Sequence, residues 1–244
     1  MMRSLCCIII FLSLVFIHIV IGQDAACEQQ TAPVTAPPPP PPADPSHQFN
    51  APPLKKIAPG VFEIGGVRIV KEKGLIEFPA LVNMDKGLLE YLIVGDSGKV
   101  HESLLRTDVE PYSIQIALLM IGLEGTTNPL SQQGDPRKPE GDPVSIWVKK
   151  TDSEKIRIEQ WIALGEKRDA VKPTNYIFTG SIISDGVFMA QTEKSIAALF
   201  HDPVAIIDNP MPEGASDEMW FVNEKQTPPV GTKVTVIIQK ESKN

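Results

Sequence analysis

No cysteine follows Cys27 in this chain of 244 residues, and the other two, Cys6 and Cys7, lie close to the N-terminus. The rest of the chain therefore has no disulfide to stabilise it and must rely on an ordinary hydrophobic core. The same absence excludes an iron–sulfur cluster or a zinc site built on thiolates of that part.

Positive charge is also scarce. The chain has 23 lysines and arginines against 30 aspartates and glutamates, a net charge of −7 at pH 7. An acidic surface opposes nucleic-acid binding and attraction to anionic lipid. We therefore predict no nucleic-acid partner and interpret the charge as a source of solubility.

Motifs that mark an activity are missing as well. There is no dinucleotide-binding or phosphate-binding glycine loop, no G-x-S-x-G turn and no H-E-x-x-H pair, and the chain has no internal repeat. We predict no cofactor.

The N-terminus has the pattern of an export signal. Arg3 precedes an apolar run that ends at residue 22, and small or medium residues there permit cleavage before Gln23. The run approaches the ~20 residues of a membrane helix, so an uncleaved anchor is an alternative. Lipid attachment at Cys27 is a third alternative, although Asp24 departs from the usual signal. Residues 1–22 thus predict an exported protein of the periplasm or cell envelope, with membrane contact through this segment only.

Residues 23–53 are rich in proline, including six consecutive prolines at 37–42. Such a run favours polyproline II at ~3 Å per residue, so it forms a stiff spacer of roughly 20 Å. We predict a disordered tether; a ligand for a proline-recognising domain is the alternative.

Residues 54–244 are predicted to form a single globular domain. A hairpin is expected over 61–70 around Gly-Gly, a helix over 111–121 that Gly122 ends, a helical turn over 194–200 and a strand over 233–238. Because short strand-like segments dominate, the predicted class is α+β, a strand-rich mixed or antiparallel sheet with one or two packed helices.

Several blocks of this domain carry a family resemblance. They are Gly-Lys-Val-His-Glu-Ser-Leu-Leu at 98–105, Ile-Ala-Leu-Leu-Met-Ile-Gly at 116–122, Phe-Thr-Gly-Ser at 178–181, Asp-Pro at 202–203 and the segment 228–235. Together they resemble the bacterial YdjY-like domain family. The resemblance implies an exported protein without an established activity. Some relatives carry a ferredoxin-like label, which the missing cysteines contradict here.

His101, Glu102 and Ser103 place a base, an acid and a hydroxyl in consecutive positions. If they lie on a strand, His101 and Ser103 share one face and Glu102 points to the other. They are the candidates for a catalytic set. The alternative is a structural role at the edge of the sheet.

A metal site has two candidate ligands, His101 and His201, each followed by a carboxylate. Two histidines with Glu102 and Asp202 would suit zinc or iron if the fold brought them together. The alternative for His201 is a turn at Asp202-Pro203.

Trp147, Trp161, Trp220 and Tyr176 would form a ligand-binding aromatic surface if they were exposed on one side. Aromatic residues in strands more often belong to the core.

Three hypotheses of function follow. The preferred one is a non-catalytic binding or interaction module of the cell envelope, whose partner is an envelope protein or a small ligand. The second is a hydrolase or metal-dependent enzyme that uses His101, Glu102, Ser103 and His201. The third is a structural element of the envelope. Beyond these candidates we assign no catalytic, cofactor-binding or metal-binding residue.

Overall fold

The structure is a computed structural model that describes residues 52–151 and 153–242. The predicted leader, residues 1–22, lies outside the described residues, and so does the tether up to residue 51. Among the residues that are described, no helix is both long and apolar enough to cross a membrane.

Strands make up most of the regular secondary structure of the described residues. The strands are β1 Lys55–Ala58, β2 Val61–Ile64, β3 Val67–Val70, β4 Leu75–Val82, β5 Tyr91–Gly95, β6 Ser103–Thr107, β7 Asp142–Lys150, β8 Ile156–Arg157, β9 Ile162–Leu164, β10 Asp169–Ala170, β11 Tyr176–Phe178, β12 Ile183–Ser184, β13 Val187–Phe188, β14 Ser195–Ala198, β15 Ile207–Asp208, β16 Trp220–Val222 and β17 Lys233–Lys240.

Helices are few. The described residues contain α1 at Pro111–Met120 and α2 at Met189–Glu193, with short 3₁₀ turns at Lys71–Lys73, Val100–Glu102, Ile158–Trp161 and Pro212–Ala215. Proline at the first position of α1 fits a site where the missing N–H has no intrahelical partner.

The main sheet closes on itself. Neighbouring strands follow the order β4, β17, β7, β11, β15, β14, β5, β6, and β6 pairs back onto β4 through Leu81 with Arg106 and Val82 with Leu105. The described residues thus form an eight-stranded barrel. Pairs β5–β6 and β14–β15 are parallel, and the other neighbours in the barrel are antiparallel.

The barrel core follows from the two-residue period of its strands. In β17, Val234, Val236 and Ile238 are buried, whereas Lys233 is exposed and Thr235 is half-buried. In β4 the alternating residues Ile76, Phe78, Ala80 and Val82 are buried on one face. One face of each strand therefore fills the interior.

Four further strands extend the sheet beyond the barrel. Strands β1, β2 and β3 form an antiparallel meander that continues from β4, and β8 pairs with β7. Helix α1 packs on β3 and β4.

The predicted α+β class is wrong, because the fold is a mostly β barrel with little helix. The error has a physical cause. An open sheet and a closed barrel have the same alternation of buried and exposed residues, and they differ only in the pairing of β4 with β6. That pairing joins segments that are distant in the sequence, so a local residue pattern does not predict it.

Of the individual elements predicted from the sequence, three are confirmed and one is wrong. The hairpin over 61–70, the helix from Pro111 and the C-terminal strand are confirmed. The helical turn over 194–200 is wrong, because Ser195–Ala198 is strand β14 between β5 and β15. All four of its residues are buried, so tertiary pairing overrides local preference there.

Candidate functional site

The residues of the predicted catalytic set lie in a turn and at the start of a strand. Val100–Glu102 is a 3₁₀ turn and only Ser103 begins β6, so His101 does not lie on a strand with Ser103. The His101 side chain is 76% exposed, and its Nε2 lies 3.3 Å from Glu102 Oε2. Ser103 is fully buried, and its Oγ donates to the carbonyl oxygen of Leu105 at 2.8 Å.

His201 has the opposite environment. Its side chain is fully buried. Nδ1 lies 2.7 Å from the carbonyl oxygen of Asp135, and Nε2 lies 2.9 Å from that of Asn209. The ring also packs against Gly214, where a Cβ would come within 2.3 Å of Nε2. Both ring nitrogens are thus engaged by the backbone.

The backbone brings the two histidine segments to one end of the barrel. The Glu90 N–H donates to the Glu102 carbonyl at 2.9 Å, and the Leu199 and Phe200 N–H groups donate to the Glu90 carbonyl at 2.8 and 3.0 Å. Within the described parts of the chain, no group of three or more His, Cys, Asp or Glu side chains is arranged to hold a metal ion. The catalytic role of His101, Glu102 and Ser103 and the metal role of His101 and His201 stay predictions.

Between these segments lies a polar cluster that the sequence pattern did not reveal. The Tyr91 hydroxyl donates to Asp202 Oδ2 at 2.7 Å and accepts from Lys99 Nζ at 2.7 Å and from Gln133 Nε2 at 3.1 Å. Burial raises the pKa of Tyr91 far above its ordinary value, and the Asp202 carboxylate adds to the rise. With the whole residue buried, we interpret Tyr91 as a structural anchor.

Two carboxyl groups near this end also have raised pKa values. Burial raises the pKa of Glu90, and the neighbouring Glu102 carboxylate adds to the effect. Burial raises the pKa of Asp208 well above its usual range, although the backbone N–H groups of Asn209 and Asp202 oppose the rise. Desolvation dominates in both cases.

The outer face of β4, β17 and β7 has a different character. Two adjoining depressions of about 560 and 590 Å³ share Glu77, Lys149 and Ile237, and together we name them the basic groove. Its lining consists of Arg68, Lys73, Leu75, Glu77, Pro79, Lys149, Lys150, Thr151, Ser153, Glu154, Lys155, Lys233, Val234, Thr235 and Ile237.

Strand register explains how the basic groove is assembled. Thr235 of β17 pairs with Pro79 of β4 on one side and with Lys149 of β7 on the other. Lys233 lies two residues before Thr235, on the same face of β17, and is exposed at the start of the strand. The outward-facing positions of three adjacent strands thus form its floor and rim.

The net charge of the basic groove is positive, whereas that of the whole chain is negative. Six basic and two acidic residues line the basic groove, whereas the whole chain carries −7. Arg68 Nη1 is paired with Glu77 Oε2 at 3.1 Å. Lys149, Lys150 and Lys233 are exposed, and none of the ion pairs among the described residues involves them. The basic groove therefore presents positive charge that the described protein leaves uncompensated.

Trp147 lies beside the basic groove, where it pairs in register with Ile237. Lys155 Nζ is 4.4 Å and the Arg157 guanidinium 5.2 Å from its ring centroid. Its indole N–H donates to Ser145 Oγ at 2.9 Å.

The other three residues of the proposed aromatic surface are in the core. Trp161, Trp220 and Tyr176 are 2%, 1% and 1% exposed. They do not share an exposed surface with Trp147.

The basic groove could not be predicted from the sequence, because its lining depends on the order of strands in the sheet. Lys149 continues the outward-facing series of β7, and Lys233 precedes the apolar alternation of β17, so the outward direction of both could be predicted. That β17 lies between β4 and β7 could not, because β17 comes from the end of the chain.

Comparison with known proteins yields one match. A family model described as the YdjY domain matches residues 67–239, from β3 to the penultimate residue of β17, and so covers nearly the whole barrel. No curated protein and no solved structure matches the chain. The resemblance predicted from the sequence blocks is confirmed, and the chain belongs to the YdjY domain family.

Proposed function

We propose that this protein is a non-catalytic binding module of the cell envelope, exported by residues 1–22, which binds its partner at the basic groove. The observation that carries the proposal is the exposed, unpaired set Lys149, Lys150 and Lys233 around a partly apolar floor.

Rigidity supports a binding role. Thr235 and Lys149 lie in the long antiparallel pairs β17–β4 and β17–β7. The backbone of paired strands is fixed before the partner arrives, so less backbone entropy is lost on binding than with a mobile loop. A charged rim around an apolar floor is the usual anatomy of a binding surface.

The end of the barrel where His101, Ser103 and His201 lie, which we name the polar end, supports the non-catalytic part of the proposal. A serine nucleophile must be reachable by substrate and hydrogen-bonded to its base. Ser103 Oγ instead bonds a backbone carbonyl within the core, and His201 bonds two carbonyls.

The test compares three double variants of the full chain, expressed in the cells that produce it naturally and purified under mild conditions. Lys149→Glu/Lys233→Glu alters the basic groove, Lys86→Glu/Lys172→Glu is the charge-matched control at exposed positions elsewhere, and His101→Ala/Ser103→Ala removes the catalytic candidates. Mass photometry of the purified material measures the fraction of chain that carries a partner.

We expect the first variant to lose the partner, and the other two to retain it as the native chain does. Retention by the groove variant, or loss caused by His101→Ala/Ser103→Ala with its folding intact, would overturn the proposal.

A further inference from the structure

We infer that the part of the partner that enters the basic groove is an extended, acidic protein segment. The inference rests on the proposed function and adds to it the chemical class of the ligand. Its basis is complementarity: a local excess of positive charge on a negatively charged chain selects an anionic partner.

The dimensions suit a short peptide segment. The lining of the basic groove crosses four strands, from Arg68 in β3 through β4 and β17 to Lys149 in β7. Three strand spacings make this width about 14 Å. An extended polypeptide rises ~3.3 Å per residue, so about four residues cross the basic groove.

The floor favours a ligand that has apolar as well as charged groups. Pro79 is exposed and Ile237 lies at the bottom, with Lys149 and Lys233 at the sides. A segment with alternating acidic and apolar side chains satisfies both, because its carboxylates reach the lysines while its apolar groups cover the floor.

Phosphate recognition has weaker support. Arginine is the preferred bidentate partner of phosphate. Here Arg68 is bonded to Glu77 and Arg157 to Glu159, which leaves lysines as the free cations. The backbone N–H groups of the central strands are used in the sheet.

A lipid surface also fits less well. The basic groove is concave, whereas a bilayer is flat on this scale, and the net charge of −7 repels anionic headgroups. We therefore assign the basic groove to a protein ligand.

The test titrates the full chain with fluorescein-labelled poly-L-glutamate and follows anisotropy. The variants are Lys149→Glu/Lys233→Glu, its neutral counterpart Lys149→Gln/Lys233→Gln, and the control Lys86→Glu/Lys172→Glu. Because all substituted lysines are exposed, each variant should fold, and far-ultraviolet circular dichroism checks this.

We expect the native chain and the control to bind equally. Charge reversal in the basic groove should weaken binding by about tenfold, and neutralisation should weaken it less. Binding should fall as NaCl rises from about 0.05 to about 0.5 M, because the screening length shortens. Poly-L-glutamine should not bind.

Competing ligands are tested in parallel. Tighter groove-dependent binding of polyphosphate, of duplex DNA or of phosphatidylglycerol vesicles would overturn the inference, as would groove-dependent self-association in sedimentation velocity. Equal binding of poly-L-glutamate by the native chain and the groove variant would overturn it too. If poly-L-glutamate does not bind the native chain, but the groove variant still loses the native partner, the inference is wrong and the proposed function stands. If the native partner is retained, the proposed function fails.

Discussion

Replacing Tyr91 by Phe should destabilise the barrel, because one hydroxyl holds three partners together. It donates to Asp202 Oδ2 at 2.7 Å and accepts from Lys99 at 2.7 Å. Asp202 is only 3% exposed, so it cannot replace the lost donor with bulk water. A hydrogen bond to a charged group contributes about 1.5–3 kcal/mol, so we expect a loss of about 2 kcal/mol in the free energy of unfolding. That corresponds to a fall of about 4–8 °C in Tm.

Urea denaturation followed by fluorescence measures this loss. The double-mutant cycle with Lys99→Met separates the hydroxyl–ammonium contact from general disruption, since the two changes should not be additive. A loss below about 0.5 kcal/mol for Tyr91→Phe would refute the reasoning, because it would place the hydroxyl among surface contacts that contribute little.

Alkaline pH gives a second readout of the same side chain. The pKa of Tyr91 is raised in the folded state, so the unfolded chain ionises first. Its contribution to stability is present below pH ~10 and declines above it. Tyr91→Phe should lack that component of the decline.

Three further substitutions test other side-chain contacts. Glu159→Gln should cost about 3–5 kcal/mol in urea denaturation, since Arg157 Nη2 is 2.7 Å from Glu159 Oε1 and would be left with an unpaired charge; a loss within error of zero would contradict this. The pKa of Asp208 is raised in the folded state, so the native chain should lose stability as pH rises from about 4 through that pKa, because the folded state holds a proton that the unfolded state releases. Asp208→Asn should remove this loss. Identical pH profiles of the two proteins would contradict the raised pKa of Asp208. Arg137→Ala should raise the pKa of Asp135, which hydrogen bonds from Arg137 and Ser131 lower, and a carboxyl titration by NMR that finds no change would disprove the contact.

Sequence reasoning succeeded where neighbouring residues determine the outcome. The hairpin over 61–70 depends on Gly65 and Gly66, both at positive φ, between two alternating segments. The strand over 233–240 is rich in β-branched residues, which favour extended backbone. Both were predictable because turn chemistry and strand propensity are local.

It failed where distant segments meet. The environment of His201 is created by carbonyls of Asp135 and Asn209 and by close packing of Gly214, and none of these follows from the His-Asp-Pro sequence. Barrel closure between β4 and β6 is of the same kind. The basic groove combines both: alternation gives the direction of Lys149 and Lys233, but only the strand order makes them neighbours.

The most direct test of the central claim is position-specific photo-crosslinking in intact cells. A photoreactive amino acid is placed at Thr151, which is exposed and lines the basic groove, and in a second strain at His101, which is exposed at the polar end of the barrel. A binding module that uses the basic groove gives a discrete adduct from Thr151 that disappears with Lys149→Glu/Lys233→Glu, and none from His101. An adduct from His101 alone would contradict the account.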